Sequence, residues 1–301
     1  MTTQHNTPAE ICCIGHITHD KVITPSFEAE MPGGTAWYFA KALKSFNMPG
    51  FKVVTCIGDS ETAAVDELRA DGIDVSVIHS PSSIIFENKY GENMNERTQR
   101  VLAKALPFTT SNLADIHAKI YHLGTLMADD FDLDVIRMLA SRGRVSVDIQ
   151  GYLRKVVGED VVAVDYDLKR EAMPYISILK ANEREMEVLT GTSDPYEAAR
   201  ILAEWGCPEV TLTLGDRGSL IYAGGEFYEI PAIPTDSLVD ATGCGDTYSA
   251  GYLYARSNGA SYTDAGMFAA AMCTIKLGRK GPFEGTLNDV KMLLRHNVAM
   301  C

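Results

Sequence analysis

The sequence predicts an α/β fold, a three-layer sandwich whose mostly parallel central sheet is flanked by helices, with a small β lid added. Three observations lead there. Short apolar runs closed by glycine read as buried strands. They alternate with stretches of helical length, the pattern of a parallel sheet covered by helices. The chain also shows no internal repeat, low-complexity tract or linker, so residues 1–301 read as one domain.

The elements follow in order. Residues 11–15 form the first buried strand, and a polar loop leads to Pro32-Gly33-Gly34. A helix is predicted over 35–46 and a strand over 51–57, stopped at Gly58-Asp59. Ser60 can cap a helix running to about Asp71-Gly72, before a strand at 74–79. Residues 83–106 break the rhythm. Two apolar segments there flank a turn-rich centre at 88–95 and read as a projecting hairpin. Together with the resemblance given below, this implies lid elements around 16–32 and 83–106.

The alternation then resumes with a strand at 119–123, a helix at 130–140 and a strand at 144–148. A strand at 176–179, helices at 183–189 and 196–205, and a strand at 209–214 follow. Segments 219–222 and 227–230 surround Gly224-Gly225, a hairpin signal. The last third is helical, over 246–258, 262–277 and 287–297.

Charge and composition exclude several classes. The 301 residues carry 27 Lys and Arg against 40 Asp and Glu, a formal net charge of −13. That balance argues against holding nucleic acid or an anionic membrane by bulk charge. A hydrophobic fraction of 46% is that of a globular chain rather than a disordered one. No apolar stretch approaches the roughly 20 residues that span a bilayer. Residues 1–10 are polar without a signal-peptide core, which predicts the cytoplasm. Seven scattered cysteines, an odd number without a CxxC pair, read as reduced thiols.

The most informative segment is Val239-Asp240-Ala241-Thr242-Gly243-Cys244-Gly245-Asp246-Thr247, just before a long helix. Glycines relax the backbone, and successive N–H groups at a helix N-terminus make a concave anion site. An aspartate there would repel an anion that stays. It makes sense where the anion is transient and a hydroxyl proton must be taken beside it. That pairing suits phosphoryl transfer to an alcohol. Taken alone, the segment is equally consistent with a glycine turn and an aspartate that merely caps its helix.

These residues resemble the C-terminal signature of the ribokinase-like, or PfkB-type, carbohydrate kinases, commonly D-T-x-G-A-G-D. Ala241 and Cys244 stand where Thr and Ala are commoner. Further motifs fall in the family's order: Gly15 followed by Asp20, Pro32-Gly33-Gly34, Gly58-Asp59, Lys180-Ala181-Asn182-Glu183-Arg184-Glu185 with its N-x-x-E, and Thr213-Leu214-Gly215-Asp216-Arg217-Gly218.

The resemblance implies an ATP-dependent, Mg²⁺-requiring kinase. Asp246 would be the general base, and the N–H groups of Gly243, Cys244 and Gly245 the anion hole. Asn182 and Glu185 would organise Mg²⁺, Glu185 through water. Thr213, Gly215 and Gly218 would line the donor phosphates and ribose, and the helix at 262–277 with the loop from Gly278 would close the adenine pocket. A monovalent cation near Asp240 is a further possibility. No GxxxxGK[ST] segment exists in the chain, so phosphates must be held in this other geometry.

At the acceptor end, Asp20 can accept from two neighbouring hydroxyls of a polyol, with Gly33 and Gly34 beside it. Sugar kinases of the family commonly carry asparagine where this chain has Tyr38. Asp148-Ile149-Gln150-Gly151-Tyr152-Leu153-Arg154 resembles the D-x-Q-G-x-x-R stretch of inositol-kinase-like members, which makes Gln150 and Arg154 acceptor-binding candidates. Arg97 and Arg100 are further polar groups of the lid. The favoured reading is a sugar or cyclitol acceptor, with the enzyme a monomer or homodimer. Alternatives are a nucleoside or vitamin-type alcohol kinase of the same fold, or a sugar-sensing relative without activity. A pure binder has no need of the base Asp246. A dehydrogenase is disfavoured because no GxGxxG opens the first helix.

Overall fold

The computed structural model describes residues 8–26, 28–90, 97–235 and 237–298. Its framework is a nine-stranded sheet. Seven strands, all parallel, form its body: β1 (Ala9–Gly15), β4 (Phe51–Ile57), β5 (Asp74–His79), β8 (Ala118–Gly124), β9 (Arg144–Asp148), β12 (Ile178–Asn182) and β13 (Glu209–Thr213). The hairpin β14 (Ser219–Ala223) and β15 (Glu226–Ile230) continues it antiparallel at one edge. The order is β15-β14-β13-β12-β9-β8-β1-β4-β5.

Successive strand residues feed two cores. Ile11 and Cys13 pack on one face, with Cys12 and Ile14 on the other. This is why the strands read as unbroken apolar runs rather than as alternating ones. One core is closed by α1 (Thr35–Lys44), α2 (Thr62–Ala70), α7 (Cys244–Ser257), α8 (Tyr262–Leu277) and α9 (Leu287–Val298). The other is closed by α3 (Leu133–Ala140), the short α4 (Lys169–Ala172), α5 (Glu183–Thr190) and α6 (Pro195–Glu204).

The lid is larger than expected. It is a six-stranded sheet in the order β10-β11-β7-β6-β2-β3. The predicted segments supply β2 (Thr18–Ile23), β3 (Glu28–Gly33), β6 (Ile84–Tyr90) and β7 (Arg97–Ala103). A hairpin of β10 (Arg154–Val157) and β11 (Asp160–Ala163) completes it, and each of these strands is too short to show a period in the sequence. The expected turn at 88–95 falls mostly outside the described residues.

Two helix starts also move. Asp132 caps α3, its carboxylate accepting from Val135 N at 2.8 Å. α7 begins at Cys244, so Asp246 lies in its first turn rather than at its start.

The chain runs from β1 to one side of the sheet through β4 and β5, and to the other through β8. At the carboxyl ends of β1 and β8, Gly15 pairs with Gly124. The Thr35 hydroxyl donates to Gly124 O at 2.7 Å. A Cβ on Gly15 or Gly124 would lie 2.7 or 2.5 Å from that hydroxyl oxygen. The first turn of α1 is thereby seated on the point where open α/β sheets place their binding crevice.

Beside it His122 is buried, stacked on Phe39 with ring centroids 4.6 Å apart, and its Nδ1 lies 3.1 Å from Ser146 Oγ. Burial depresses its pKa from 6.5 to about 4. The unfolded chain therefore takes up a proton that the folded one refuses. The denaturant midpoint should fall as pH drops from 6.5 towards 4. His122→Phe should flatten that dependence in urea titrations at several pH values.

Candidate active site

The predicted residues gather at the carboxyl ends of the parallel strands. Asp148 ends β9, Asn182 ends β12 and Thr213 ends β13. Strand register puts Lys180 beside Asp148 and Asn182 beside Thr213. This register follows from two-sided burial, because a slip of one residue would send every side chain to the wrong core.

The Gly243 turn faces these ends. Gly243 caps α7 in the left-handed region at φ +76°. A Cβ on it would lie 2.3 Å from the Tyr38 ring. The position where the family's sugar kinases carry asparagine is thus occupied by a buried ring that packs against the turn. Gly245 is less constrained, since a Cβ there would come close only to Lys180 Nζ, at 3.0 Å. Glycine at both positions lets the backbone N–H groups of a helix N-terminus approach a ligand closely.

Asp246 stands at the floor of the cleft, partly accessible as a residue although protein surrounds its carboxyl group. Desolvation, then the charge of Asp148, raise its pKa from 3.8 to about 8, against the opposing pull of Lys180. The dipole at a helix N-terminus favours a carboxylate by only about 0.3–1 kcal/mol and does not offset this. A carboxyl group so placed is basic enough to take a hydroxyl proton near neutral pH.

Lys180 is the site residue that the sequence reading missed. Its ammonium is buried, 2.9 Å from Asp148 Oδ2 and 4.0 Å from Glu185 Oε2. Burial opposes its charge, but Asp148 and then Glu185 hold its pKa above the usual lysine value. The available signal was a lone Lys and a lone Asp, each inside an apolar strand and each costly to bury without the other.

Asn182 and Glu185 are joined in a capping box. Asn182 Oδ1 accepts from Glu185 N at 2.9 Å, and Glu185 Oε2 accepts from Asn182 N at 2.7 Å. The Asn182 amide also donates to Glu185 Oε1 at 2.7 Å. Burial raises the Glu185 pKa, with Lys180 opposing. Among the described residues no group of three or more His, Cys, Asp or Glu side chains is set to cage a metal. A Mg²⁺ ion here would take most of its ligands from donor phosphates and water, the usual habit of that ion, and Glu185 can orient such a water.

In the turn after β13, Gly215 and Gly218 both have positive φ, at +60° and +88°. A Cβ on Gly218 would lie 2.0 Å from Ile230 O. The Thr213 hydroxyl is 3.5 Å from Ala181 O. Gly278 ends α8, and the nearby Leu238 and Val239 are exposed apolar residues.

In the lid, Asp20 Oδ1 accepts from the Thr18 hydroxyl at 2.6 Å. A Cβ on Gly33 would lie 2.3 Å from Asp20 Oδ2, so that glycine makes room for the carboxylate. Gly34, at φ +85°, caps α1. Register puts Asp20 on the same lid face as Phe86, Asn88, Gln99 and Val101, the face that packs on Leu126 and Met127. Gln99 Nε2 donates to Asn88 Oδ1 at 3.0 Å.

Gln150 and Arg154 lie towards Glu185. The Gln150 amide donates to Glu185 Oε1 at 3.5 Å, and the Arg154 charge favours ionised Glu185. Arg100 lies on the other face of the lid, paired with Glu87 and Glu159. The side chain of Arg97 lies outside what is described. His16 and His19 are engaged with Asp130 and with Glu30 and Glu61 respectively.

The pfkB family carbohydrate kinase model matches residues 10–287 of the sequence. The chain belongs to the pfkB family of carbohydrate kinases. It is a kinase of the ribokinase type, a phosphotransferase that uses an alcohol group as acceptor. It is similar to the cytidine kinase of Thermococcus kodakarensis, 29% identical over 264 residues that cover 83% of this chain and 89% of the relative.

Among solved structures it resembles a pyrophosphate-dependent kinase of the ribokinase family in complex with sulfate. The TM-score is 0.83 at 29% identity, covering 93% of this chain and 99% of the other. A pyrophosphate-dependent kinase of the ribokinase family complexed with a pyrophosphate analog and myo-inositol matches with a TM-score of 0.82 at 27% identity, covering 94% and 99%. No helix among the kinase's described residues is long and apolar enough to cross a membrane.

Replacing Lys180 tests the ion pair. Lys180→Met leaves the buried Asp148 without its counter-charge, and the expected cost is about 3–5 kcal/mol of folding stability. Lys180→Met combined with Asp148→Asn should recover much of that loss in denaturant titrations.

Proposed function

We propose that this kinase transfers the terminal phosphoryl group of ATP to a hydroxyl of a small sugar or cyclitol, with Asp246 as general base. The observation that carries this reading is the Asp246 carboxyl in the first turn of α7, with a pKa raised to about 8, directly after the glycine turn at Gly243 and Gly245. The acceptor O–H gives its proton to an Asp246 oxygen while its oxygen bonds to the γ-phosphorus. The bond from that phosphorus to the bridging oxygen breaks, and ADP leaves.

The N–H groups of Gly243 and Gly245 cradle the transferred group, whose charge is largest in a loose transition state; the Cys244 N–H, expected to join them, instead donates to Ala241 O at 3.1 Å and closes the turn. Thr213, Gly215, Gly218 and Gly278 line the donor side. Asn182 and Glu185 hold the water shell of Mg²⁺, which when bound neutralises charge on the donor phosphates. Asp20, with Asn88 and Gln99 on the same face of the lid, offers carboxylate and amide partners for adjacent hydroxyls, and Gly33 and Gly34 give the acceptor space. These groups form one cleft from both ends of the sequence, so we read residues 1–301 as one kinase domain.

Two specific observations favour neighbouring readings. The cytidine kinase relative supports a nucleoside acceptor, and the pyrophosphate-dependent kinases support pyrophosphate as donor. The exposed Leu238 and Val239 beside the Gly243 turn suit a nucleotide base better than pyrophosphate. The decisive experiment crosses ATP and pyrophosphate as donors with inositols, pentoses, hexoses and nucleosides, detecting phosphorylated product. ATP with a cyclitol or sugar should give the highest kcat/KM. A preference for nucleosides or for pyrophosphate overturns the corresponding half of the reading.

Asp246→Asn should lower turnover roughly 10²–10⁴-fold and leave donor binding intact. In the unsubstituted enzyme kcat/KM should rise with pH through an apparent pKa near 8, because the base acts only when deprotonated. The linkage has the opposite sign. A raised carboxyl pKa stabilises the fold below the unfolded value of 3.8, and this is lost as pH rises towards 8. Asp246→Asn should therefore melt above the wild type at pH 8, measured by thermal scans.

A further inference from the structure

The resemblance to ribokinase-like kinases raises a monovalent cation near Asp240, and the residues found there do not fit one. The carbonyl and carboxylate oxygens of Asp240 converge on one point, and the Lys276 ammonium occupies it. Nζ donates to Asp240 O at 2.7 Å and lies 3.1 Å from Oδ2. The carboxylate also accepts from Thr242 N at 2.9 Å through Oδ1 and from Gly281 N at 3.1 Å through Oδ2. The Lys276 side chain has 0% exposure.

This lysine enters from the last turn of α8, where helix carbonyls favour a positive charge. An ammonium group carries the charge of a potassium ion, is close to it in size, and points three donors at the same oxygens. A second cation drawn to those oxygens would meet Nζ at contact distance and be repelled.

The place of this pair in the chain gives it a role. Asp240 opens the turn that ends in Gly243, Cys244 and Gly245. Its N–H and that of Val239 both point to Leu277 O, at 3.4 and 2.8 Å. Lys276 therefore ties the entry of the turn to the end of α8, and Gly281 ties the following loop to the same carboxylate.

We propose that Lys276 is a built-in substitute for a bound monovalent cation, a positioning residue that holds the Asp240–Gly245 turn in its phosphoryl-binding shape and frees the kinase from dependence on added alkali-metal ions. The inference rests on the reading of that turn as the anion cradle. Lys276 touches no reacting atom and acts through the backbone of the turn.

The test begins with the wild-type enzyme in a buffer whose monovalent cations are only bulky tetraalkylammonium ions. Potassium, sodium or ammonium is then added at constant ionic strength. The expected kcat changes by less than about twofold, and a rise of about tenfold or more overturns the proposal.

Lys276→Ala, which vacates the site, should lose roughly a hundredfold in kcat with a smaller change in acceptor KM. Ammonium or potassium should restore part of that loss, a rescue that a merely structural lysine would not show. Full kcat for Lys276→Ala in the tetraalkylammonium buffer overturns the proposal, as does a loss that neither cation relieves in a variant that melts like the wild type. If Lys276→Ala does not fold, the wild-type titration decides by itself. Failure here is separable from failure of the cradle reading. A cation-responsive wild type removes only the role of Lys276, whereas undiminished turnover by Asp246→Asn removes the catalytic reading of the turn.

Discussion

Three carboxyl groups, on Asp148, Glu185 and Asp246, share the floor of the cleft with the ammonium of Lys180. Each carboxylate loses hydration there, and the lysine offsets that loss for the two it approaches, at 2.9 and 4.0 Å. Asp246 receives its influence at longer range, and this is why its pKa settles near 8 rather than higher. The arrangement sets two chemical roles apart. Glu185 is held by its capping hydrogen bonds and its lysine, while Asp246 keeps a basic carboxyl, and on the proposed reading the first serves the donor and the second the acceptor. The same ammonium would lie 3.0 Å from a Cβ at Gly245, so the glycine turn and the ion pair are close neighbours.

The fold serves this floor by bringing strand ends together. Parallel strands covered on both faces cannot shift register without moving their side chains to the wrong core, so Asp148, Lys180 and Asn182 reach the edge of the sheet in fixed order. Helix α1 and the Gly243 turn then close on each other through Tyr38. The ring that replaces the family's common asparagine packs on Gly243. On the proposed reading the acceptor then falls to the lid, where Asp20, Asn88 and Gln99 share one face.

Much of this was legible in the sequence. The alternation of strands and helices, the glycine turn before α7, the Asn182–Glu185 spacing and the hairpin at β14 and β15 all depend on short-range rules, and the structure places them close to where those rules do. The lid was legible only in part. Its hairpin within 83–106 was expected, though β6 runs on through 88–90 where a turn was predicted, whereas β10 and β11 are each four residues long and carry no pattern of their own. They are strands because β7 offers β11 an edge to pair with.

What the sequence determined by itself is local: which segments are strands, where glycine is required, and which residue types stand before α7. The tertiary structure decided how charges combine. It brings Lys180 to Asp148 across 32 residues and Lys276 to Asp240 across 36 residues. It also turns Gln150 towards Glu185 and places Arg100 on the outer face of the lid. The physical reason is that a buried charge is tolerated only beside a partner, and partners distant in the chain are chosen by packing, which no local pattern records.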